Sequence, residues 1–208
     1  MRWLEFGIFT PLMRNHSAAG TREQEVYRFG NTAGFRHVIG LRYRLIPYLY
    51  SEYMKAALRG EMMFRPLAFD YPDDKYAAQV EDQLLLGNEL MLAPVYEQNA
   101  RGRYVYLPET MKMVRFKEDG TMETEIRPAG HQYIDVELTD VVFFMRPDTL
   151  IPLAKPAQCT QDIDFEHLEL LKFVQNEMAS YEYYHDDGYS KDYENPEHLS
   201  LLFSTTEE

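Results

Sequence analysis

Residues 35–59 carry apolar side chains at Val38, Leu41, Leu45, Leu49, Tyr53 and Ala56. These steps of three and four make one face of a long helix, and that face demands a partner layer. Gly60 follows as the expected C-cap. Pro47 inside the run predicts a kink or a division into two helices. Ahead of it, residues 2–7 read as the end of a helix broken at Gly7. The apolar stretch 6–13 then reads as a short buried strand that delivers Arg14, Asn15, His16 and Ser17 to its C-terminal edge. In barrels and open α/β sheets that edge is where ligands bind. The polar loop 17–31 holds two charged pairs, Arg22 with Glu23 and Glu25 with Arg28.

After Gly60 the texture changes to short, closely spaced strands. Residues 62–69 read as extended, 71–74 as a turn, and 77–86 as a short helix. Residues 90–95 and 104–108 are strand candidates. Asp119-Gly120, between residues 114–116 and 122–126, signals a hairpin. Ile134, Val136 and Leu138 alternate with polar neighbours, the period of a half-buried strand, whereas residues 141–145 are apolar on both faces. These features predict an antiparallel β-sandwich over 61–154. In the acidic tail, 168–174 and 181–184 read as strands, the second ending at the turn His185-Asp186-Asp187-Gly188.

The 208 residues are 45% hydrophobic and 14% aromatic, enough for a packed core. A formal charge of -13, from 34 acidic and 21 basic residues, repels phosphate backbones and anionic lipid. Nucleic acid and membrane are therefore not expected partners, while a neutral ligand such as a sugar is compatible. Cys159, the only cysteine, forms no disulfide within the chain and reads as a small semi-apolar filler. With no apolar run of membrane-spanning length and no signal-like leader, a cytoplasmic location is expected. The six histidines are too scattered for zinc, Asp186-Asp187-Gly188 lacks the ligand spacing of a calcium loop, and no phosphate loop is present. No cofactor is expected.

Several runs in order resemble glycoside hydrolase family 31, the α-glucosidase and α-xylosidase family. They are Arg2-Trp3 through Pro11-Leu12-Met13-Arg14-Asn15-His16-Ser17, Leu41-Arg42-Tyr43 through Pro47-Tyr48-Leu49-Tyr50, and Phe64-Arg65-Pro66-Leu67. Gln83 to Gly87 follows, then Leu92-Ala93-Pro94-Val95, Tyr106-Leu107-Pro108, Arg146-Pro147 before Leu150-Ile151-Pro152-Leu153, and Asp186-Asp187-Gly188 with Ser190 and Tyr193. The resemblance implies a fold of α/β plus all-β type. Residues 1–60 would be the last strand–helix unit of a (β/α)8 catalytic barrel, 61–154 the proximal C-terminal β-sandwich, and 155–208 a reduced distal β region. It implies a retaining α-glycosidase acting on α-glucoside oligosaccharides, with His16 bonding sugar hydroxyls and Arg14 bracing nearby carboxylates.

Such chemistry uses two carboxylic acids about 5–5.5 Å apart. In the family both are Asp on earlier barrel strands, and neither run is found here. The chain is thus expected to be an inactive fragment whose partner is the missing part of the barrel or a second copy. A lone strand–helix pair cannot bury its apolar faces, so 2–59 should leave a large apolar patch while 61–154 holds together better.

Read from the residues alone, His16 also fits a polar residue closing a strand, and Arg14 a structural ion pair. Trp3, Phe6 and Phe9 read as core, Arg65 as half of a buried ion pair. Tyr43, Tyr48, Tyr50 and Tyr53 read as core or interface residues with wet hydroxyls. Two other functions stand beside the glycosidase: a non-catalytic carbohydrate-binding β-sandwich, which should expose an aromatic row, and a structural accessory domain.

Overall fold

Two helices open the chain, α1 (Arg2–Gly7) and α2 (Thr32–Arg59). The computed structural model describes residues 1–176, 178–191 and 200–206, the last stretch through its backbone; Tyr193 lies outside the described residues. Helix α2 starts where the Asn31 side chain accepts the Gly34 N–H, and ends where Gly60 turns left-handed at φ 70°. Pro47 does not divide it. Proline cannot donate to the Tyr43 carbonyl, and beside that gap the Arg44 carbonyl accepts the Ala154 N–H at 2.9 Å. The proline is thus where the helix is stitched to the sheet it covers.

The strand expected over 6–13 does not form. Helix α1 is followed by a turn, and residues 12–18 run irregularly. Strand backbone needs a neighbouring ladder, and among the described strands none pairs with this stretch. Its carbonyls find another donor instead: Arg42 on α2 bonds Ile8 O at 2.7 Å, Thr10 O at 2.5 Å and Pro11 O at 3.0 Å. In the following loop the ion pair is Arg28 with Glu23, at 2.9 Å, not with Glu25.

Strands β1 (Phe64–Pro66), β2 (Leu84–Leu86) and β3 (Leu90–Leu92) begin the sheet region, with a one-turn helix α3 (Leu67–Asp70) after β1. The helix expected over 77–86 is replaced by one 3-10 turn (Ala77–Gln79) and β2. Leu84, Leu85 and Leu86 pair with Leu92, Met91 and Leu90, so cross-strand pairing overrides any helical pattern. Next come β4 (Gly102–Leu107), β5 (Met111–Phe116), β6 (Met122–Arg127), β7 (Gly130–Asp135) and β8 (Val141–Met145). The β5–β6 hairpin turns at Asp119-Gly120, where Gly120 has φ 88°. One sheet runs β1-β2-β3-β8-β5-β6, all antiparallel, while β4 and β7 form a separate two-stranded ribbon. A second sheet has the order β10-β9-β11-β12, from β9 (Thr149–Leu153), β10 (Glu169–Phe173), β11 (Met178–Tyr184) and β12 (Ser200–Thr206).

The period of two divides the six-stranded sheet between two cores. Leu86, Leu90, Val114, Phe116, Phe143 and Met145 face a core shared with α2, β9 and β11. Leu85, Met91, Met111, Met113 and Phe144 face the other, closed by Val105, Leu107 and Ile134 of the ribbon. Helix α2 is therefore not left bare: Val38, Leu41, Leu45, Tyr48 and Leu49 are buried against the sheets. The large apolar side chains that the N-terminal part leaves exposed are Trp3, Leu12, Tyr27, Phe29, Tyr53 and Leu58. Trp3, expected in the core, is 73% exposed, whereas Phe9 is buried. Tyr53 and Leu138 likewise lie on the surface.

Candidate functional site

Arg14 and His16 come together in the structure. The Arg14 guanidinium, Nη2, lies 3.0 Å from His16 Nδ1. A guanidinium only donates, so Nδ1 must accept with its lone pair. That assigns the ring proton to Nε2 and leaves Nε2–H as the outward donor of a neutral imidazole. Both side chains are exposed, and among the described residues His16 is Arg14's hydrogen-bond partner. The remaining guanidinium donors stay available for a planar acceptor such as a carboxylate. Asn15 points elsewhere, its amide donating to the Gln24 carbonyl at 2.9 Å. The expected separation of Asn15 from its two neighbours holds even without a strand.

Position is supplied from behind. The Arg42 clamp holds the backbone of residues 8–11 on α2, and Ile8 and Phe9 are sunk into the core. Burial lowers the Arg42 pKa while leaving it a strong cation. At the other end, Arg2 donates to the carbonyls of Ala100, Val136 and Glu137 and pairs with Glu5 at 3.0 Å, fixing α1 to the end of the ribbon. Burial raises the Glu5 carboxyl above its ordinary range, against the pull of Arg2. Sequence reading missed both arginines as anchors. Arg42 carried a signal, since it sits beside Leu41 on a helix that must cover its neighbours.

A second cluster was also missed. Glu52, Lys55 and Glu89 are buried with Tyr48 and Tyr181. Lys55 pairs with Glu52 at 2.7 Å, Tyr181 donates to Glu52 at 2.8 Å, and Tyr48 donates to Glu89 at 3.0 Å. Burial, with repulsion from Glu52, pushes the Glu89 carboxyl up to about 7. Burial also drives both tyrosines well above the usual phenol range. The available signal was that Glu52 falls on the apolar stripe of α2, where a charge needs a partner.

Arg65 forms the ion pair expected of it. Its Nε and Nη2 reach Asp70 at 2.7 and 2.8 Å, and Arg146 joins Asp70 to Glu109 at 2.8 and 2.9 Å. The hydrogen bond from Arg65 holds Asp70 below the usual carboxylate range. Asp186 and Asp187 accept backbone N–H groups of Gly188, Tyr189 and Ser190, the bonding of a solvated turn. Cys159 is half-buried and donates to Asp162 at 3.2 Å. No helix among the described residues is long and apolar enough to cross a membrane.

Comparison with known proteins matches residues 1–52 to the TIM-barrel domain of the glycosyl hydrolases family 31 and 60–151 to the family's C-terminal domain. Lysosomal alpha-glucosidase of Bos taurus is 32% identical over 91% of this chain and 22% of its own length. The Flavobacterium johnsoniae GH31 dextranase, solved with glucose, superposes with a TM-score of 0.79 at 30% identity, over 98% of this chain and 25% of the dextranase. The catalytic subunit of ER glucosidase II shares the fold, with a TM-score of 0.82 at 23% identity over 99% of this chain and 22% of its own. The chain thus spans about a fifth to a quarter of the length of these proteins. The cytoplasmic expectation is overturned, because related enzymes work in the lysosome and the endoplasmic reticulum. One cysteine excludes an internal disulfide in this stretch and leaves the compartment open. Barrel end and C-terminal domain match in chain order, and the chain belongs to glycosyl hydrolase family 31.

Proposed function

We propose that this chain forms part of a retaining α-glycosidase that releases α-linked glucose from oligosaccharides. His16 Nε2–H donates to a sugar hydroxyl in the first subsite, and Arg14 braces His16 while its free donors orient a catalytic carboxylate. The observation that carries this reading is the 3.0 Å Arg14–His16 bond, which pre-sets one tautomer at an exposed edge. Hydroxyls donate and accept, so a neutral ring with a fixed donor binds them without introducing a charge. Both catalytic Asp residues are proposed to come from barrel strands outside this chain. Residues 1–60, 61–154 and 155–208 are proposed as barrel end, proximal domain and distal region, with β9 joining the last two through its pairing with β10.

The proposed partner is the rest of the barrel. Trp3 and Phe6 wall an apolar cleft of about 710 Å3 against Phe64, Pro66 and Val95, and Leu12 stands exposed beyond it. The test has two arms. The isolated chain should not turn over a chromogenic α-glucoside, and turnover by it would refute the reading. In the full-length enzyme, His16→Ala should lower kcat/KM about 100-fold, the worth of one buried hydrogen bond to substrate. Unchanged kinetics in that variant would remove His16 from the subsite.

A further inference from the structure

The outer face of the β4–β7 ribbon is lined with aromatic rings. Register places Tyr104 opposite Tyr133, on the face away from Val105 and Ile134, and the buried Tyr106 opposite the exposed His131. Tyr104 is 73% and Tyr133 49% exposed, and their rings meet at 5.1 Å and 74°, one offering a face and the other an edge. Tyr76 extends the row, 5.3 Å from His131. Beside Tyr104 and Tyr133 lies a cleft of about 420 Å3 that also takes in Tyr96. That volume is within the ordinary range for small-ligand sites, about 300–1,000 Å3.

The charges of the cleft choose among ligands. Asp82 and Glu97 are balanced by Arg101 and Arg103, so the cleft is neutral in formal charge although the chain carries -13. Arg103 is held on Asp82 at 2.6 Å, and the Tyr96 hydroxyl donates to the same carboxylate at 3.2 Å. The general field opposes an anion, and the two guanidiniums oppose a cation. A neutral polyol can donate to the carboxylates and accept from the guanidiniums. The axial C–H groups of a pyranose carry partial positive charge and match the negative face of a tyrosine ring. Tyrosine also presents this area at low conformational-entropy cost.

We propose that this face is an accessory binding site for a neutral α-glucan oligosaccharide, remote in sequence from Arg14 and His16. The choice of an α-linked glucan rests on the glycosidase reading above; the site itself rests on the tyrosine row and the neutral cleft. It holds one part of a chain substrate while another end is processed, which raises the local concentration of cleavable ends.

The experiment is a titration of the 208-residue chain with maltopentaose, followed by saturation-transfer NMR and calorimetry. A dissociation constant of about 1 mM is expected, weakened about tenfold or more in Tyr104→Ala/Tyr133→Ala. Both residues are exposed, so the double variant should keep the thermal midpoint of the parent chain. Tyr189→Ala, which removes an exposed ring outside this cleft, should leave the affinity unchanged. Binding that survives the double tyrosine substitution, or that is lost with Tyr189→Ala, overturns the proposal. So does the absence of any maltopentaose binding, or a preference for a sulfated oligosaccharide over the neutral one.

Discussion

At Gly87 the backbone takes φ +60°, and a Cβ built there would sit 2.5 Å from both Glu52 Oε2 and the Tyr48 hydroxyl. Both side chains are buried and held by their own hydrogen bonds, Tyr48 to Glu89 and Glu52 from Tyr181, so they cannot step aside cheaply. Gly87→Ala should therefore destabilise the chain by about 3 kcal/mol, read as a shifted urea midpoint. Glu89 beside it gives the chain a pH dependence. Its carboxyl rises from the usual 4.5 to about 7 in the folded state, because burial disfavours its charge. The folded chain thus binds this proton more tightly than the unfolded chain. Stability from this group is fully present below pH 4.5, falls as pH rises toward 7, and is constant above that. The loss should be on the order of 2 kcal/mol across that window, and Glu89→Gln should flatten it. Urea melts of both chains at pH 5 and pH 7.5 check the sign, and an unchanged slope in the variant would refute it.

Among the elements, α2 was legible because its stripe is periodic and its C-cap Gly60 is explicit, whereas its start at Thr32, capped by Asn31, was read three residues late. The β5–β6 hairpin was legible from Asp119-Gly120 for the same reason: the turn chemistry is local. Residues 6–13 were misread because an apolar run states burial, not pairing, and no neighbouring strand exists among those described. Leu84, Leu85 and Leu86 were misread because their state is decided by Leu90, Met91 and Leu92 across the ladder. Of the site, Arg14 and His16 were named from the sequence, but the clamp behind them depends on contacts some thirty residues apart. Arg42→Ala should release that clamp and cost about 2–3 kcal/mol, since three carbonyls lose a charged donor. Hydrogen exchange over residues 8–16 should accelerate while α2 stays protected; equal exchange in both chains would contradict the assignment.

For the molecule as a whole, α2 belongs to the sheets as much as to the segment before it. Ala154 bonds Arg44, Ser51 accepts the Tyr184 N–H at 3.0 Å, and Glu169 pairs with Arg44 at 2.6 Å. Removing residues 1–59 would strip Ile8, Phe9, Val38, Leu41, Leu45, Tyr48 and Leu49 from one core and leave Glu89 without Tyr48. The shortened chain should lose cooperative thermal unfolding by circular dichroism. A sharp transition within about 5 °C of the full chain would contradict this. The Arg42 clamp has a last consequence, for tolerance to mutation. Its three acceptors are main-chain oxygens, which every amino acid carries. Side chains at 10 and 11 can therefore drift under selection without loosening the grip, whereas position 42 admits no substitute, not even lysine, whose single ammonium lacks the fork.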